Sequence, residues 1–243
     1  KGFAISNPNV DDHNELADCK LVCDLSQYIN ETNCVDCELG FSCNGQDRSE
    51  CLAGEFCLNG RKNFCEPGKY GITPKASNET SACTDCEAGR YQLSSGETSC
   101  TLCDAGFYSI ELKQILPTGC KACTLPGYYC PAGTSEATKF PCEKGTFVNK
   151  TEATECKICT EGRYQNETGQ ASCRKCGLGL YLADQGVSPV NHDQVEDCQV
   201  CPSNTYNDQL GQQKCKGCPE DQIIQDSTTA SKHVSEESCT TAC

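Results

Sequence analysis

The sequence predicts a small disulfide-rich fold, an elongated tandem array of short β-hairpin repeats with little regular secondary structure and no single core. Three observations predict it: 26 of the 243 residues are cysteines, the cysteines recur at regular spacings, and only 37% of the residues are hydrophobic while the formal net charge is −14. A chain so acidic and poor in apolar residues would be disordered without cross-links. Because disulfides replace a missing apolar core, we expect many small cores in a row.

The repeating unit is bounded by cysteines. Cys-x-x-Cys joints connect successive units, and a wider Cys-x-x-x-Cys joint lies at each end, at Cys19/Cys23 and Cys239/Cys243. Taking the second cysteine of each joint as the opening residue, and adding three more by alignment, gives the start of each repeat. The repeats open at Cys23, Cys37, Cys51, Cys65, Cys86, Cys103, Cys123, Cys142, Cys159, Cys176, Cys201 and Cys218.

Two further positions recur in each repeat. The fifth residue after the opening cysteine is aromatic in most repeats, including Tyr128 in the Cys123 repeat. The third is usually Gly, and is Asn204 or Asp221 in two of the others. Because Gly, Asn and Asp tolerate positive φ, we predict a left-handed turn there. Pro126 occupies this place in the Cys123 repeat and cannot adopt positive φ, so that repeat must turn differently.

A polar segment with a Gly-containing loop follows the aromatic residue and predicts a hairpin that returns to the closing cysteine. The simplest pairing joins each opening cysteine to the next closing one. Each such bridge contributes roughly 3 kcal/mol if loop entropy alone is counted. The predicted pairs are Cys65 with Cys83, Cys86 with Cys100, Cys103 with Cys120, Cys142 with Cys156, Cys159 with Cys173, Cys176 with Cys198, Cys201 with Cys215, and Cys218 with Cys239.

Three repeats carry an extra cysteine after the aromatic region, namely Cys43, Cys57 and Cys130. Nested pairing of Cys123 with Cys130 and crossed pairing of Cys123 with Cys142 and Cys130 with Cys156 both remain open, because spacing does not determine connectivity. The pairing is therefore left undecided for Cys19, Cys23, Cys34, Cys37, Cys43, Cys51, Cys57, Cys123, Cys130 and Cys243.

The predicted organisation has five segments. They are an N-terminal arm at 1–18, irregular Cys-rich units at 19–64, hairpin repeats at 65–122, an irregular unit at 123–141, and hairpin repeats at 142–243. Cys19 and Cys243 lack partners in the simple pairing and are candidates for head-to-tail bonds between subunits, for local pairs in another register, or for pairs within a longer polyprotein. The arm is expected to be a disordered tail; the sharper hypothesis is that Phe3 and Ile5 contact a neighbouring subunit.

Four Asn-x-Thr sequons predict N-linked glycans at Asn30, Asn78, Asn149 and Asn166. Together with the even number of cysteines, they predict an oxidising compartment, so the protein is expected to be secreted or on a cell surface. No apolar stretch is long enough to span a membrane. The chain contains no Met and no apolar leader, which is typical of a processed product or a fragment.

The segments Cys86-Glu-Ala-Gly-Arg-Tyr91 to Cys103 and Cys159-Thr-Glu-Gly-Arg-Tyr164 to Cys176 carry the repeat most cleanly. The pattern resembles the ephrin-receptor-like cysteine-rich repeats, relatives of the tumour-necrosis-factor-receptor type of module. It is more loosely similar to the Cys-x-x-Cys surface antigens of ciliates. Both resemblances imply elongated extracellular rods of short hairpins without enzymatic activity, used for display, spacing or protein binding. The repeat specifies architecture more than function.

The chemical alternatives find little support. Zinc sites would need reduced four-thiolate clusters, and redox catalysis would need an exposed reactive thiol near a helix. The histidines His13, His192 and His233 are far apart in polar segments and are expected to be solvated loop residues. The acidic charge disfavours nucleic acid and anionic membranes as partners. We therefore predict no catalytic residue, no metal and no cofactor other than N-linked glycans.

The predicted function is that of a non-enzymatic extracellular structural glycoprotein, a surface coat or filament subunit whose partners are other copies of itself, added head to tail. The alternative is a ligand-binding receptor ectodomain or secreted binding module with other extracellular proteins as partners. On the alternative, aromatics beyond those the repeat requires are candidates for binding. Tyr129 and Phe107 are the extra members of the pairs Tyr128-Tyr129 and Phe107-Tyr108.

Overall fold

The computed structural model describes residues 2–5 and 19–241, with burial described from residue 21. The strands are β1 (Gly2–Ile5), β2 (Cys19–Val22), β3 (Gln27–Asn30), β4 (Asn33–Asp36), β5 (Phe41–Cys43), β6 (Arg48–Glu50), β7 (Glu55–Leu58), β8 (Arg61–Phe64), β9 (Lys69–Tyr70), β10 (Thr84–Asp85), β11 (Arg90–Tyr91), β12 (Thr101–Leu102), β13 (Phe107–Tyr108), β14 (Lys121–Ala122), β15 (Thr146–Phe147), β16 (Lys157–Ile158), β17 (Arg163–Tyr164), β18 (Arg174–Lys175), β19 (Leu180–Tyr181), β20 (Gln199–Val200), β21 (Thr205–Tyr206), β22 (Lys216–Gly217), β23 (Gln222–Ile223) and β24 (Thr240–Thr241).

Helical structure is confined to short turns in the described residues. One α-helix, α1 (Glu79–Ala82), is capped by Asn78, whose side-chain Oδ1 accepts the Ser81 N–H at 2.9 Å. The described 3-10 turns are Pro117–Gly119, Pro189–Asn191, Val195–Asp197, Ala230–Lys232 and Glu236–Ser238.

Each strand pairs only with its neighbour in sequence, so β1 to β24 form antiparallel two-stranded sheets. The two residues inside a Cys-x-x-Cys joint form the returning strand of most hairpins. In the Cys86 repeat, for example, Arg90 pairs with Leu102 and Tyr91 with Thr101. The predicted fold class of many short disulfide-rich hairpins is confirmed, and the described part of the chain has no closed sheet and no single core.

The chain divides into two compact parts. The first runs to Cys103 and includes Ile110–Gly119, and the second contains Asp104–Ser109 and the chain from Cys120 onward. The same repeat geometry is found within each part.

The predicted left-handed turn is confirmed. Asn204 and Asp221 have φ values of 63° and 62°, and the Gly residues at the same place also have positive φ. The turn exposes a carbonyl that accepts the N–H of the next opening cysteine, as Gly89 O does from Cys103 N at 2.9 Å. The turn therefore fixes the distance between successive opening cysteines.

The core is distributed among small clusters around the disulfides. Several clusters contain the residue six positions after the opening cysteine, namely Val148, Leu182 or Ile224. In most repeats this sixth position is buried whatever its chemistry, whereas Ile29 and Cys43 are half-buried there. Its buried members include Cys57, Gln92, Ser109, Val148, Gln165, Leu182, Asn207 and Ile224.

The N-terminal arm forms part of the fold over residues 2–5. Strand β1 pairs antiparallel with β2 of the same chain, with Phe3 opposite Leu21 and Ile5 opposite Cys19. The expectation of a disordered tail is wrong for these residues, because their backbone is bonded to β2. A contact of Phe3 or Ile5 with a neighbouring subunit stays a prediction, and residues 6–18 lie outside the described residues.

Candidate functional site

Disulfide bonds hold every repeat of the described chain at its base. The bonds of the hairpin repeats follow the order of opening cysteine to next closing cysteine. They are Cys23–Cys34, Cys65–Cys83, Cys86–Cys100, Cys142–Cys156, Cys159–Cys173, Cys176–Cys198, Cys201–Cys215 and Cys218–Cys239. Cys103 and Cys120 are also disulfide-bonded. The Cys243 residue and the Cys19 side chain lie outside the described residues.

The three repeats with an extra cysteine have nested bonds, Cys37–Cys43, Cys51–Cys57 and Cys123–Cys130. The crossed alternative is therefore excluded for Cys123. In these repeats the second cysteine takes the place of Val148 or Leu182, and it is buried there in the case of Cys57 and Cys130. The hairpin then returns directly to the next opening cysteine, which is why these repeats lack a Cys-x-x-Cys joint.

Neighbouring repeats are joined by backbone hydrogen bonds. The carbonyl of an opening cysteine accepts an N–H from the loop of the next repeat, as Cys142 O does from Gly169 N at 2.7 Å. The N–H of the left-handed residue donates to the sixth-position carbonyl of the next repeat, as Gly145 does to Gln165 at 2.7 Å. These bonds use main-chain atoms only, so they leave the outward side chains free to vary.

Repeats two apart are also in contact within each part of the chain. A β-carbon placed on Gly162 would overlap the carbonyl oxygen of Gly211, and one placed on Gly54 would overlap that of Gly96. Each pair belongs to repeats separated by one other repeat. The glycine thus serves two needs at once, positive φ and room for the next-but-one loop.

The Cys123 repeat contains one additional residue before its turn, and this corrects the aromatic assignment. Gly127, rather than Pro126, has positive φ (84°) and accepts the Cys142 N–H. Tyr129 then follows the turn by two residues and packs against the Cys142, Val148 and Ala153 cluster, as Tyr164 packs against the next cluster. Tyr129 is therefore the repeat aromatic, and Tyr128 is the extra one.

The expectation of solvated histidines is wrong for His192 and His233, which are both fully buried. Each follows a 3-10 turn, and its ring contacts the preceding repeat through Nδ1. No apolar pattern marks them in the sequence, because each ring is held by a polar contact to a backbone carbonyl. His13 lies outside the described residues.

The sequon residues occupy two kinds of place. Asn30, Asn149 and Asn166 directly follow the sixth position; the first two are exposed, whereas Asn166 is half-buried with a buried Oδ1 that has no hydrogen-bond partner. Asn78 is exposed as the cap of α1. Because side chains alternate along an extended chain, a residue after the buried position faces outward.

The longest loops form two equivalent grooves in the second part of the chain. One, of about 690 Å³, is lined by residues that include Ile223, Asp226 and Lys232; the other contains Tyr181, Asp184 and Asn191 at the matching places. Hydrogen bonds from the Thr228 N–H, the Lys232 ammonium and the Thr229 N–H hold the pKa of Asp226 well below its usual range. The carboxylates therefore serve mainly to order their own loops.

An exposed apolar loop lies in the first part of the chain. Ile110, Leu112, Ile115 and Leu116 all have large exposed fractions within one seven-residue stretch. The loop is anchored by hydrogen bonds from Lys113 N to Cys86 O and from Gln92 N to Gln114 O. Four large apolar side chains so close together are unusual on a soluble surface and are typical of contact sites.

The described residues were compared with the requirements of a metal site and of a membrane span. No three His, Cys, Asp or Glu side chains there are grouped to hold a metal ion. Over the same residues, no helix is long and apolar enough to cross a bilayer.

The disulfides, the hairpins and the backbone contacts between repeats define a class, the extracellular cysteine-rich repeat proteins. The profile of the tyrosine-protein kinase ephrin type A/B receptor-like family matches residues 73–114, 145–192 and 189–239, together more than half of the chain. The chain belongs to this family of ephrin-receptor-like cysteine-rich repeats. Comparison with curated proteins found no match. Repeats of this family are extracellular binding or structural modules and are not enzyme domains.

Proposed function

We propose that this protein is a non-enzymatic extracellular structural glycoprotein that acts as a surface coat or filament subunit. The observation that supports this best is the main-chain bonding between repeats, as from Gly145 to Gln165. Main-chain bonds between disulfide-stapled repeats resist unfolding without fixing the identity of surface side chains. Such an arrangement suits a durable spacer or coat, whose work depends on shape rather than on a reactive group.

N-linked glycans at Asn30, Asn78, Asn149 and Asn166 belong to the same proposal. The exposure of Asn30, Asn78 and Asn149 supports access for glycosylation. Glycans there would cover the outside of the repeats and leave the disulfides untouched.

Head-to-tail self-assembly is the finer part of the proposal. Cys19 and Cys243 are the residues to examine, because the simple pairing leaves both without partners. The protein purified from a secreting host should be compared by reducing and non-reducing mass analysis, by negative-stain microscopy, and after removal of N-glycans. Reduction-sensitive ladders that disappear in Cys19→Ser and Cys243→Ser variants, or visible fibres, would support assembly; a monomer at high concentration would remove the filament from the proposal.

The exposed loop around Ile110 and Leu112 favours a second candidate, a module that binds another extracellular protein. Clustered exposed apolar side chains are a feature of contact sites, and the main-chain anchors at Lys113 and Gln114 would hold this loop in place. The double variant Leu112→Ser/Ile115→Ser should lose cross-linking to cell-surface proteins, whereas Leu210→Ser, in a different loop, should not. Unchanged cross-linking of both variants would contradict the binding module and leave the structural role as the remaining candidate. Phe107 and Tyr128 are the further aromatics to substitute in the same assay.

A further inference from the structure

His192 and His233 occupy equivalent places in the two longest disulfide loops, which span 22 and 21 residues. Both side chains are 0% exposed. The backbone N–H of each closes a 3-10 turn, bonding to Pro189 O at 2.9 Å and to Ala230 O at 3.0 Å. The two histidines can therefore be compared atom by atom.

Each histidine fastens its loop to the preceding repeat. His192 Nδ1 lies 2.7 Å from Arg163 O, and His233 Nδ1 lies 2.6 Å from Thr205 O. The histidine carbonyls accept the N–H groups of Gln165 and Asn207, both at 2.7 Å. A backbone carbonyl can only accept, so Nδ1 carries a proton in both rings.

The other ring nitrogen of His192 faces a second acceptor. Its Nε2 lies 2.9 Å from Asp184 Oδ1. Only the doubly protonated imidazolium can donate to both Arg163 O and Asp184. The His192 ring and the Asn191 amide hold the pKa of Asp184 down to about 2, so the carboxylate stays charged under mildly acidic conditions.

The corresponding nitrogen of His233 has no partner. Nε2 is buried without a hydrogen bond, so the neutral ring protonated on Nδ1 satisfies every contact that this histidine makes. Asp226 stands at the place of Asp184, but its carboxylate is bonded to Lys232 at 3.0 Å and to the Thr228 and Thr229 N–H groups at 2.7 Å. Lys232 thus supplies the positive charge beside the Asp226 carboxylate.

The other charged groups on the elements around His233 are bonded to other partners or exposed. Glu236 accepts the Tyr206 hydroxyl at 3.1 Å, and Lys216 is paired with Asp208 at 2.6 Å. Glu237, on the following 3-10 turn, is exposed. No carboxylate among these is bonded to the His233 ring, so a proton added to Nε2 would bring an unpaired charge into a buried site.

We infer that His233 is a pH-sensitive clamp, which holds the Cys218 repeat on the Cys201 repeat near neutral pH and releases it under mildly acidic conditions, whereas the His192 clamp stays closed. A released histidine takes up a proton below about pH 6.5. The released state therefore binds more protons than the clamped state, and clamping weakens as the pH falls through this range. Clamping is complete above it. The inference does not depend on whether the protein is a coat or a binding module.

The first test is nitrogen-15 spectroscopy of the full histidine-labelled chain between about pH 7.5 and pH 5, near the titration range of free imidazole. Assignment uses the single variants of each histidine. We expect His233 to be neutral with its proton on Nδ1 at the upper pH, and His192 to be an imidazolium throughout. An imidazolium signal for His233 at the upper pH, with Asn207 still protected from exchange, would overturn the inference.

The second test is amide hydrogen exchange corrected for the intrinsic effect of pH. The protection of the Asn207 N–H should fall by up to about tenfold between about pH 7.5 and pH 5.5, while that of the Gln165 N–H changes little. In His233→Gln the acid-dependent loss should vanish, even if the loop is less protected at every pH. In Asp184→Asn, which removes the charged acceptor of His192, the Gln165 N–H should become acid-sensitive. Equal acid responses of Asn207 and Gln165 in the unmodified protein would contradict the clamp.

Discussion

Asn204 and Ile224 are joined by two hydrogen bonds. The Asn204 N–H donates to Ile224 O at 2.9 Å, and the Ile224 N–H donates to the side-chain Oδ1 of Asn204 at 3.2 Å. In the Cys159 repeat the corresponding N–H, that of Gln165, instead bonds to the next repeat at His192 O. The Asn204 side chain therefore accepts the Ile224 N–H from the preceding repeat. In the Cys159 repeat, the corresponding N–H is accepted by the following repeat.

The Gly162 turn and the Asn204 turn differ in the room beside the backbone. Gly162 allows the Gly211 carbonyl to approach only because it has no β-carbon. Asn204 has the same left-handed backbone and does carry a β-carbon. The Asn204 turn therefore lacks the room that lets a carbonyl approach the Gly162 turn.

Asn204→Ala should destabilise the Cys218 repeat. The substitution removes the acceptor of the Ile224 N–H, which belongs to a buried residue, and a buried donor without a partner costs about 1–3 kcal/mol. Hydrogen exchange at Ile224 and the free energy of unfolding measure the effect. Asp221→Ala is the matched control, because it also places Ala at positive φ on an exposed residue, but the side chain that it removes does not accept the Ile224 N–H. Equal losses in the two variants would mean that strain, not the hydrogen bond, is responsible.

Gly162→Ala should loosen the contact between repeats two apart. The new β-carbon would overlap Gly211 O, and the φ of 70° is unfavourable for Ala. We expect a loss of stability greater than about 1 kcal/mol and faster exchange at the Gly211 N–H, which bonds to Cys176 O. Gly217→Ala, which has open space around it, should be tolerated. A Gly162 variant as stable as the Gly217 variant would show that the contact is not tight in solution.

Much of the fold follows from the sequence because cysteine and glycine positions carry it. The opening cysteines, the left-handed residue and the returning strand are each tied to one residue type, which a spacing pattern records. The nested bond of Cys123 with Cys130 was open because either pairing satisfies the same spacings. The structure distinguishes them, because Cys130 is bonded to Cys123 and Cys142 is bonded to Cys156.

The sixth position itself is hidden from sequence patterns. Its members range from Val148 to Gln165 and Asn207, so no apolar period marks it, although all three are buried. Polar side chains are accepted there because they find partners in their own hairpin or in the preceding repeat. The burial of His192 and His233 was missed for the same reason, and Tyr129 was displaced by a single inserted residue.

Gln165→Leu should test whether a buried polar residue at the sixth position is structural. The Gln165 amide donates to Ser172 O at 2.7 Å, and its Oε1 accepts the Glu167 N–H at 3.1 Å, so it spans the hairpin loop. Leu fits the volume but leaves both groups without their partner, and we expect a loss of about 1–3 kcal/mol. Thermal unfolding of Gln165→Leu beside the exposed control Gln213→Leu measures it. A stabilised Gln165→Leu protein would indicate that the position is simply apolar.

Asp226→Asn should change how the last loop responds to strong acid. Hydrogen bonds from the Thr228 N–H, Lys232 and the Thr229 N–H lower the pKa of Asp226. The pKa of this group in the folded protein therefore lies below its value of about 3.9 in the unfolded chain. Its contribution to stability is complete above that value and is lost as the pH falls through the lower folded value. Relative to the unmodified protein, Asp226→Asn should show faster exchange at Thr228 and Thr229 near neutral pH, with the difference shrinking in strong acid. The exposed Glu220→Gln serves as the control. A difference that already disappears near about pH 6, where free histidine titrates, would contradict this assignment and place the response on His233 instead.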